Sequence, residues 1–190
     1  GFEVELLPVD EFGRVAPDQV AAALREDTVL VSVGYANNEV GTVQPIAAIS
    51  EAMRARASEL GRQIPFHTDA VQAASSLSLK ADELGVDLLS LSGHKFGGPK
   101  GTGVLYIRRG IPFLEQVSGG GQERQRRSGT ENVPGVAGMA TALGLAQAER
   151  DSFRETTSKL RDRLLERIVA VRPDARLNGH PTKRLPHNLH

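Results

Sequence analysis

Lys95 is one of only five lysines against 18 arginines, and it follows an apolar run through Ser92-Gly93-His94. An amine set beside an apolar wall and a neighbouring cation gives up its proton more easily, and only the neutral amine attacks a carbonyl. Asp69 lies 26 residues earlier, after a second apolar run, within His67-Thr68-Asp69-Ala70-Val71-Gln72. A third apolar run hands over to Tyr35-Ala36-Asn37-Asn38-Glu39-Val40-Gly41. Three apolar runs therefore each deliver a polar set. Together the sets hold an amine, carboxylates, amides, hydroxyls and imidazoles.

Those types suit a pyridoxal 5′-phosphate (PLP) site. PLP works as an electron sink when its ring nitrogen is protonated, and a facing carboxylate keeps it so. Asp69 is the candidate for that carboxylate and Lys95 for the Schiff-base amine. Gln72 can reach a ring hydroxyl. Ser92 and His94, with backbone N–H groups between them, make a phosphate cradle. Plainer roles compete: a helix cap for Asp69, a helix position for Gln72, a loop histidine for His94, and a surface turn for Lys95. His67, Asp69 and His94, with Glu39, offer a metal-dependent hydrolase as an alternative, because H-x-D on a strand puts both side chains on one face. No H-E-x-x-H or comparably spaced set accompanies them. The run Gly97–Gly103 lacks the order of a P-loop and reads as turn chemistry. Arg124-Gln125-Arg126-Arg127 reads as a solvated loop or as one wall of an anionic pocket.

A sheet must position these sets. Val29–Val33 is nearly continuous, apolar and β-branched, as in a strand buried on both faces. Ile64–Thr68, Val86–Leu91 and Val104–Ile107 read as further strands, and the alternation of Phe2, Val4 and Leu6 as a weaker one. Pro17-Asp18 opens a helix to about Arg25. Pro45 opens another, with Ile46, Ile49, Met53 and Leu60 on one face and Gly61 as its stop. Val71–Leu77 carries a helical patch. From Val133 to about Val171 the pattern is helical, with Leu160, Leu164, Leu165 and Ile168 in a stripe. This alternation predicts an α/β fold with a mostly parallel sheet flanked by helices, whose ligands sit at the carboxyl ends of the strands.

Composition narrows the classes further. The 190 residues carry 23 basic and 23 acidic side chains, so a basic nucleic-acid binder is disfavoured. Aromatic residues make up only 4% and tryptophan is absent, which leaves little for base stacking. No apolar run is long enough to span a membrane. With no cysteine there is no disulfide, thiolate metal site or cysteine nucleophile within the chain.

Taken together, four motifs resemble one family. They are Asn37-Asn38-Glu39-Val40-Gly41; His67-Thr68-Asp69-Ala70-Val71-Gln72; Ser92-Gly93-His94-Lys95 with Gly98-Pro99-Lys100-Gly101; and Gly119-Gly120-Gly121-Gln122-Glu123 with Arg127-Ser128-Gly129-Thr130. In this order they resemble the cysteine desulfurases of the class V aminotransferase superfamily, and within these the group serving iron–sulfur cluster assembly and nitrogen fixation. The resemblance covers the whole chain. It implies the large domain of PLP-dependent fold type I, with Lys95 holding PLP and moving a proton at the substrate Cα. Asp69 would pair with the ring nitrogen, Gln72 with the ring hydroxyl, and Ser92 and His94 with the phosphate. Asn38 would lie near the ring oxygen and the substrate carboxylate, and Thr130 would serve the phosphate of a partner subunit.

The implied reaction converts L-cysteine to L-alanine and leaves sulfur as a persulfide. The implied partners are a second copy of the chain and sulfur-acceptor or iron–sulfur scaffold proteins, in the cytoplasm, with no nucleic acid or membrane. Sister PLP enzymes (a selenocysteine or cystine lyase) and a non-catalytic remnant are the competing readings. The chain begins without methionine and breaks off at His190, so it reads as the centre of such an enzyme. Residues 1–135 would be part of the PLP-binding large domain, and residues 136–190 a helical segment leading into a small carboxyl-terminal domain. The family's ring-stacking histidine, persulfide cysteine and substrate-binding arginine have no counterpart here. Residues 1–190 alone are therefore expected not to complete the reaction.

Overall fold

A computed structural model describes residues 1–190. Strands β1 (Val31–Gly34), β2 (Phe66–Asp69) and β3 (Leu88–Ser92) run parallel, and β4 (Gly103–Ile107) lies antiparallel to β3 at one edge. Between β1 and β2 the chain crosses over through helix α2 (Ile46–Glu59), and between β2 and β3 through a run of turns and the short helix α3 (Ala81–Leu84). Parallel neighbours need such long connections. Between β3 and β4 only residues 93–102 intervene, turning at Gly97 and Gly101 with φ of +83° and +77°. No crossover fits in that length, so β4 returns antiparallel.

The sheet has one apolar and one polar face, as its period of two requires. Phe66, Leu89 and Leu91 join Ile46, Ile49, Met53 and Ala57 of α2 in a single core. Ser32, His67 and Ser90 occupy the other face. Helix α1 (Pro17–Ala22) packs on α2 and stops short of Arg25. After the single turn α4 (Gln122–Gln125), the last third divides at Glu149 into α5 (Val133–Ala148), which packs on the turn after β3, and α6 (Arg150–Val171). The stripe Leu160, Leu164 and Ile168 of α6 stays exposed.

Three sequence expectations fail. Val29–Val33 is not a strand buried on both faces: β1 begins only at Val31 and alternates half-buried with exposed positions, and Val29 and Leu30 are exposed. Phe2, Val4 and Leu6 form no strand and are at least 78% exposed, because no strand in this chain takes up their backbone groups. Val71–Leu77 is a run of turns and not a helix. There Gln147 of α5 donates its side-chain amide to Ala74 O at 2.6 Å and Leu77 O at 3.1 Å. Burial of Ala70, Ala73, Ala74 and Ser76 draws the segment tightly against its neighbours.

At the amino ends of the strands, Asp87 is buried and ties three segments together. Its carboxylate accepts from Phe66 N at 3.0 Å and from Arg54 at 3.2 Å. It also lies 3.1 Å from Arg108 Nε, an ion pair without hydrogen-bond alignment. Removing this carboxylate strands a buried N–H and takes one partner from each of two guanidinium groups, which keep others: Arg54 on Gly85 O and Arg108 on Asp82. Asp87→Ala is expected to cost about 2–3 kcal/mol, less than a fully buried pair because both arginines are partly exposed. A lowered denaturant midpoint at unchanged slope checks it.

Candidate functional site

The parallel register sets Gly34 beside Asp69 and Asp69 beside Ser90, so the carboxyl ends of β1, β2 and β3 form one edge. Asp69 stands exposed at the end of β2. One of its oxygens accepts from Val71 N at 2.9 Å in a local turn, no helix following for it to cap, and no cation pairs with it. Its second oxygen is unengaged. Gln72, half-buried three residues on, has a side-chain amide without a partner in this chain.

After β3 the chain makes a tight 3-10 turn, Gly93–Phe96, that lifts His94 and Lys95 outward while Phe96 turns into the core. Ser92 Oγ lies 2.9 Å from His94 Nδ1, so hydroxyl and imidazole form one unit with Nε2 free. Lys95 makes no ion pair or hydrogen bond. The apolar wall expected beside it is not supplied by this chain, for Lys95 is exposed. The turn rests on close packing. A Cβ on Gly93 would lie 2.4 Å from Thr102 Oγ1, 3.1 Å from Pro99 O and 3.2 Å from Met139 Cγ. Gly93 N donates to Thr102 O at 2.9 Å, and Gly98 N to Gly93 O at 2.9 Å.

In the loop after β1, Asn37 Oδ1 accepts from Glu39 N and Val40 N, both at 2.9 Å. This leaves Asn38 exposed at the tip, its side chain unbonded. Asn38, Asp69, Gln72, Ser92, His94 and Lys95 therefore follow three adjacent strand ends. Thr130 stands apart. It is exposed in the loop before α5, and no hydrogen bond ties it to the others. That loop is braced by Ser128, whose hydroxyl accepts from Gly121 N at 3.1 Å. It also holds Glu123, Arg124 and Gln125 at φ of 49°, 58° and 63°, a left-handed turn that is costly without glycine.

The alternative metal ligands are not assembled. His67 Nδ1 lies 2.8 Å from Ser32 Oγ and its Nε2 3.3 Å from Ser90 Oγ, so both ring nitrogens are engaged across the polar face. No group of three or more His, Cys, Asp or Glu side chains is placed to hold a metal ion.

Sequence reasoning missed Arg184 and Asn188. Arg184 is 6% exposed and Asn188 lies against Gly41, beneath the Asn37–Gly41 loop. Flanked by Gly179, Pro181 and Pro186, the segment reads as plain turn, and its burial carries no periodic signal.

The aminotransferase class-V profile matches residues 1–189. The chain belongs to the aminotransferase class-V family. Among curated relatives, it is 51% identical over 189 residues to a protein named cysteine desulfurase IscS from Methanosarcina thermophila, covering 100% of this chain and 45% of that one. It is 47% identical over 189 residues to a namesake from Dictyoglomus turgidum, covering 100% and 46%. A solved structure described as a NifS-like protein superposes with a TM-score of 0.92 at 39% identity, over 100% of this chain and 50% of that one. The chain thus spans about half the length of the relatives it matches. For a class-V chain, the strand-end cluster lies where an open α/β sheet takes its ligand.

Two outcomes are expected at this site. Gly93→Ala forces Thr102, Pro99 or Met139 aside and should cost about 1–3 kcal/mol, whereas Gly144→Ala, with open space around its helical position, should stabilise by about 0.5–1 kcal/mol. Thermal unfolding of the two variants checks the contrast. Burial holds the His67 pKa below its usual 6.5, against a smaller opposing pull from Asp69. Folding therefore weakens the imidazole's hold on its proton, so stability is lost as pH falls through 6.5 towards the depressed folded value. Burial of His187 acts in the same direction. His67→Gln should flatten this dependence, measured by denaturant midpoints between about pH 7 and pH 5.

Proposed function

We propose that the chain forms the PLP-binding part of a cysteine desulfurase, which converts L-cysteine to L-alanine and passes the sulfur on as a persulfide. The observation that carries this reading is the convergence on one sheet edge of an unpaired amine (Lys95), a carboxylate with a free oxygen (Asp69) and the Ser92–His94 pair. That donor set fits PLP: a nucleophile for its carbonyl, a counter-charge for its ring nitrogen, and a hydroxyl and imidazole for its phosphate.

PLP, when bound, supplies the electron sink for bond changes at the substrate Cα. The chain's own residues do the rest. Lys95 would hold the cofactor through its amine and would move a proton at the substrate Cα. Asp69 holds the proton on the ring nitrogen by charge. Gln72 bonds the ring hydroxyl. Ser92 and His94 would bind the phosphate. Asn38 stands by the ring oxygen and the substrate carboxylate. Thr130 serves the phosphate bound by a partner subunit, which suits its separation from the other residues and requires a homodimer.

The chain has no cysteine, so the persulfide would form on a residue outside residues 1–190. Residues 1–135 would form part of the large domain and residues 136–190 lead into a smaller one. Sulfur-acceptor or iron–sulfur scaffold proteins would receive the sulfur in the cytoplasm. No helix is long and apolar enough to cross a membrane.

The test is chemical trapping in the full-length protein. Borohydride reduction should fix PLP to the peptide containing Lys95, and label on another lysine contradicts the assignment. Asp69→Asn should still take up PLP but turn over cysteine at least ~100-fold more slowly. Near-normal turnover would leave Asp69 with its local turn bond alone.

A further inference from the structure

Four consecutive carbonyl oxygens of the loop that carries Asn38 accept hydrogen bonds from one stretch far along the chain. Asn188 Nδ2 donates to Asn38 O at 3.3 Å and to Glu39 O at 2.8 Å. Arg184 donates to Val40 O at 3.2 Å, and Leu185 N to Gly41 O at 2.8 Å. The loop's amides face the other way, with Glu39 N and Val40 N on Asn37 Oδ1. Little of the loop's backbone is left free. The side chain of Asn38 has no bond of its own, so its place is set by this backbone alone.

Arg184 is a buried cation without a carboxylate. Its guanidinium donates to the carbonyls of Asn178 at 3.1 Å, His180 at 3.4 Å and Asn188 at 3.2 Å, besides Val40, and to Asn188 Oδ1 at 3.0 Å. A planar fork with five N–H groups can serve that many acceptors at once. The pair Arg184–Asn188 is therefore one rigid unit. It is anchored in turn by Arg161, which donates to Leu185 O at 3.4 Å, and by His180 N on Thr42 Oγ1 at 3.0 Å. The His187 ring lies 5.7 Å from that of Phe153 on α6.

We infer that Arg184 and Asn188 are positioning residues for Asn38, fixing through the loop's carbonyls where its amide stands relative to cofactor and substrate. This rests on the PLP reading of the site.

The test compares Asn188→Ala, Asn38→Ala and the double variant in the full-length protein. Gly41→Ala attacks the same contact from the other side, since its Cβ would lie 2.5 Å from Asn188 Oδ1. In the cofactor-free protein, Asn188→Ala should speed amide exchange at Glu39 and Val40 about tenfold, with α2 unaffected. In the loaded protein, Asn188→Ala and Gly41→Ala should shift the visible band of bound PLP in the direction that Asn38→Ala does. They should raise KM for cysteine about tenfold with kcat little changed. The double variant should be no worse than Asn38→Ala alone. Additive losses, or a shift in Asn38→Ala that Asn188→Ala does not reproduce, overturn the clamp and leave the PLP reading intact. An unchanged band and KM in Asn38→Ala also overturn it, for there is then nothing to position. In that case borohydride labelling at Lys95 tells whether the PLP reading has fallen too.

Discussion

Parallel pairing on both sides of β2 sets Gly34 beside Asp69 and Asp69 beside Ser90, and every candidate residue but Thr130 is placed from that edge. A slip of one residue would turn Phe66 outward and His67 inward, exchanging a core ring for an imidazole. Burial of Phe66, at 1% exposure, opposes that slip by the transfer cost of a large aromatic side chain, about 2–3 kcal/mol. Below it, the Asp87 carboxylate on Phe66 N makes the same register an electrostatic requirement. The apolar face thus decides what the polar face presents.

The side chains that would do chemistry are mostly unengaged, while the backbone beneath them is heavily engaged. Lys95 has no partner, yet its turn is wedged between Thr102, Pro99 and Met139 at Gly93. Asn38 has none either, yet its loop is held from both sides. Asp69 uses one oxygen locally and keeps the other. Groups arranged in this way can meet a ligand without first breaking internal bonds, which is the physical content of preorganisation.

Much of this was legible in the sequence, because apolar runs bounded by polar sets mark the strands of a parallel sheet. β1, β2 and β3 fall where Val29–Val33, Ile64–Thr68 and Val86–Leu91 place them, and α2 follows its Pro45 start and Gly61 stop. What was not legible depends on partners distant in the chain. Val71–Leu77 has helix-like apolar density, but Gln147 takes its carbonyls from 70 residues away. Phe2, Val4 and Leu6 alternate as a strand does, but alternation supplies no neighbour. Arg184 looks like one surface arginine among 18, and only the fold reveals that it is buried among carbonyls. Among the site residues, the groups at strand ends announced themselves by position, whereas the pair that holds one of them in place did not.

The most direct measurement is a crystal structure of the full-length protein grown with PLP. Continuous density should join Lys95 Nζ to the cofactor, with the free Asp69 oxygen about 2.7–2.9 Å from the ring nitrogen, the length of a charge-assisted hydrogen bond. Cofactor density attached to another lysine, or a ring nitrogen facing away from Asp69, would contradict the strand-edge site.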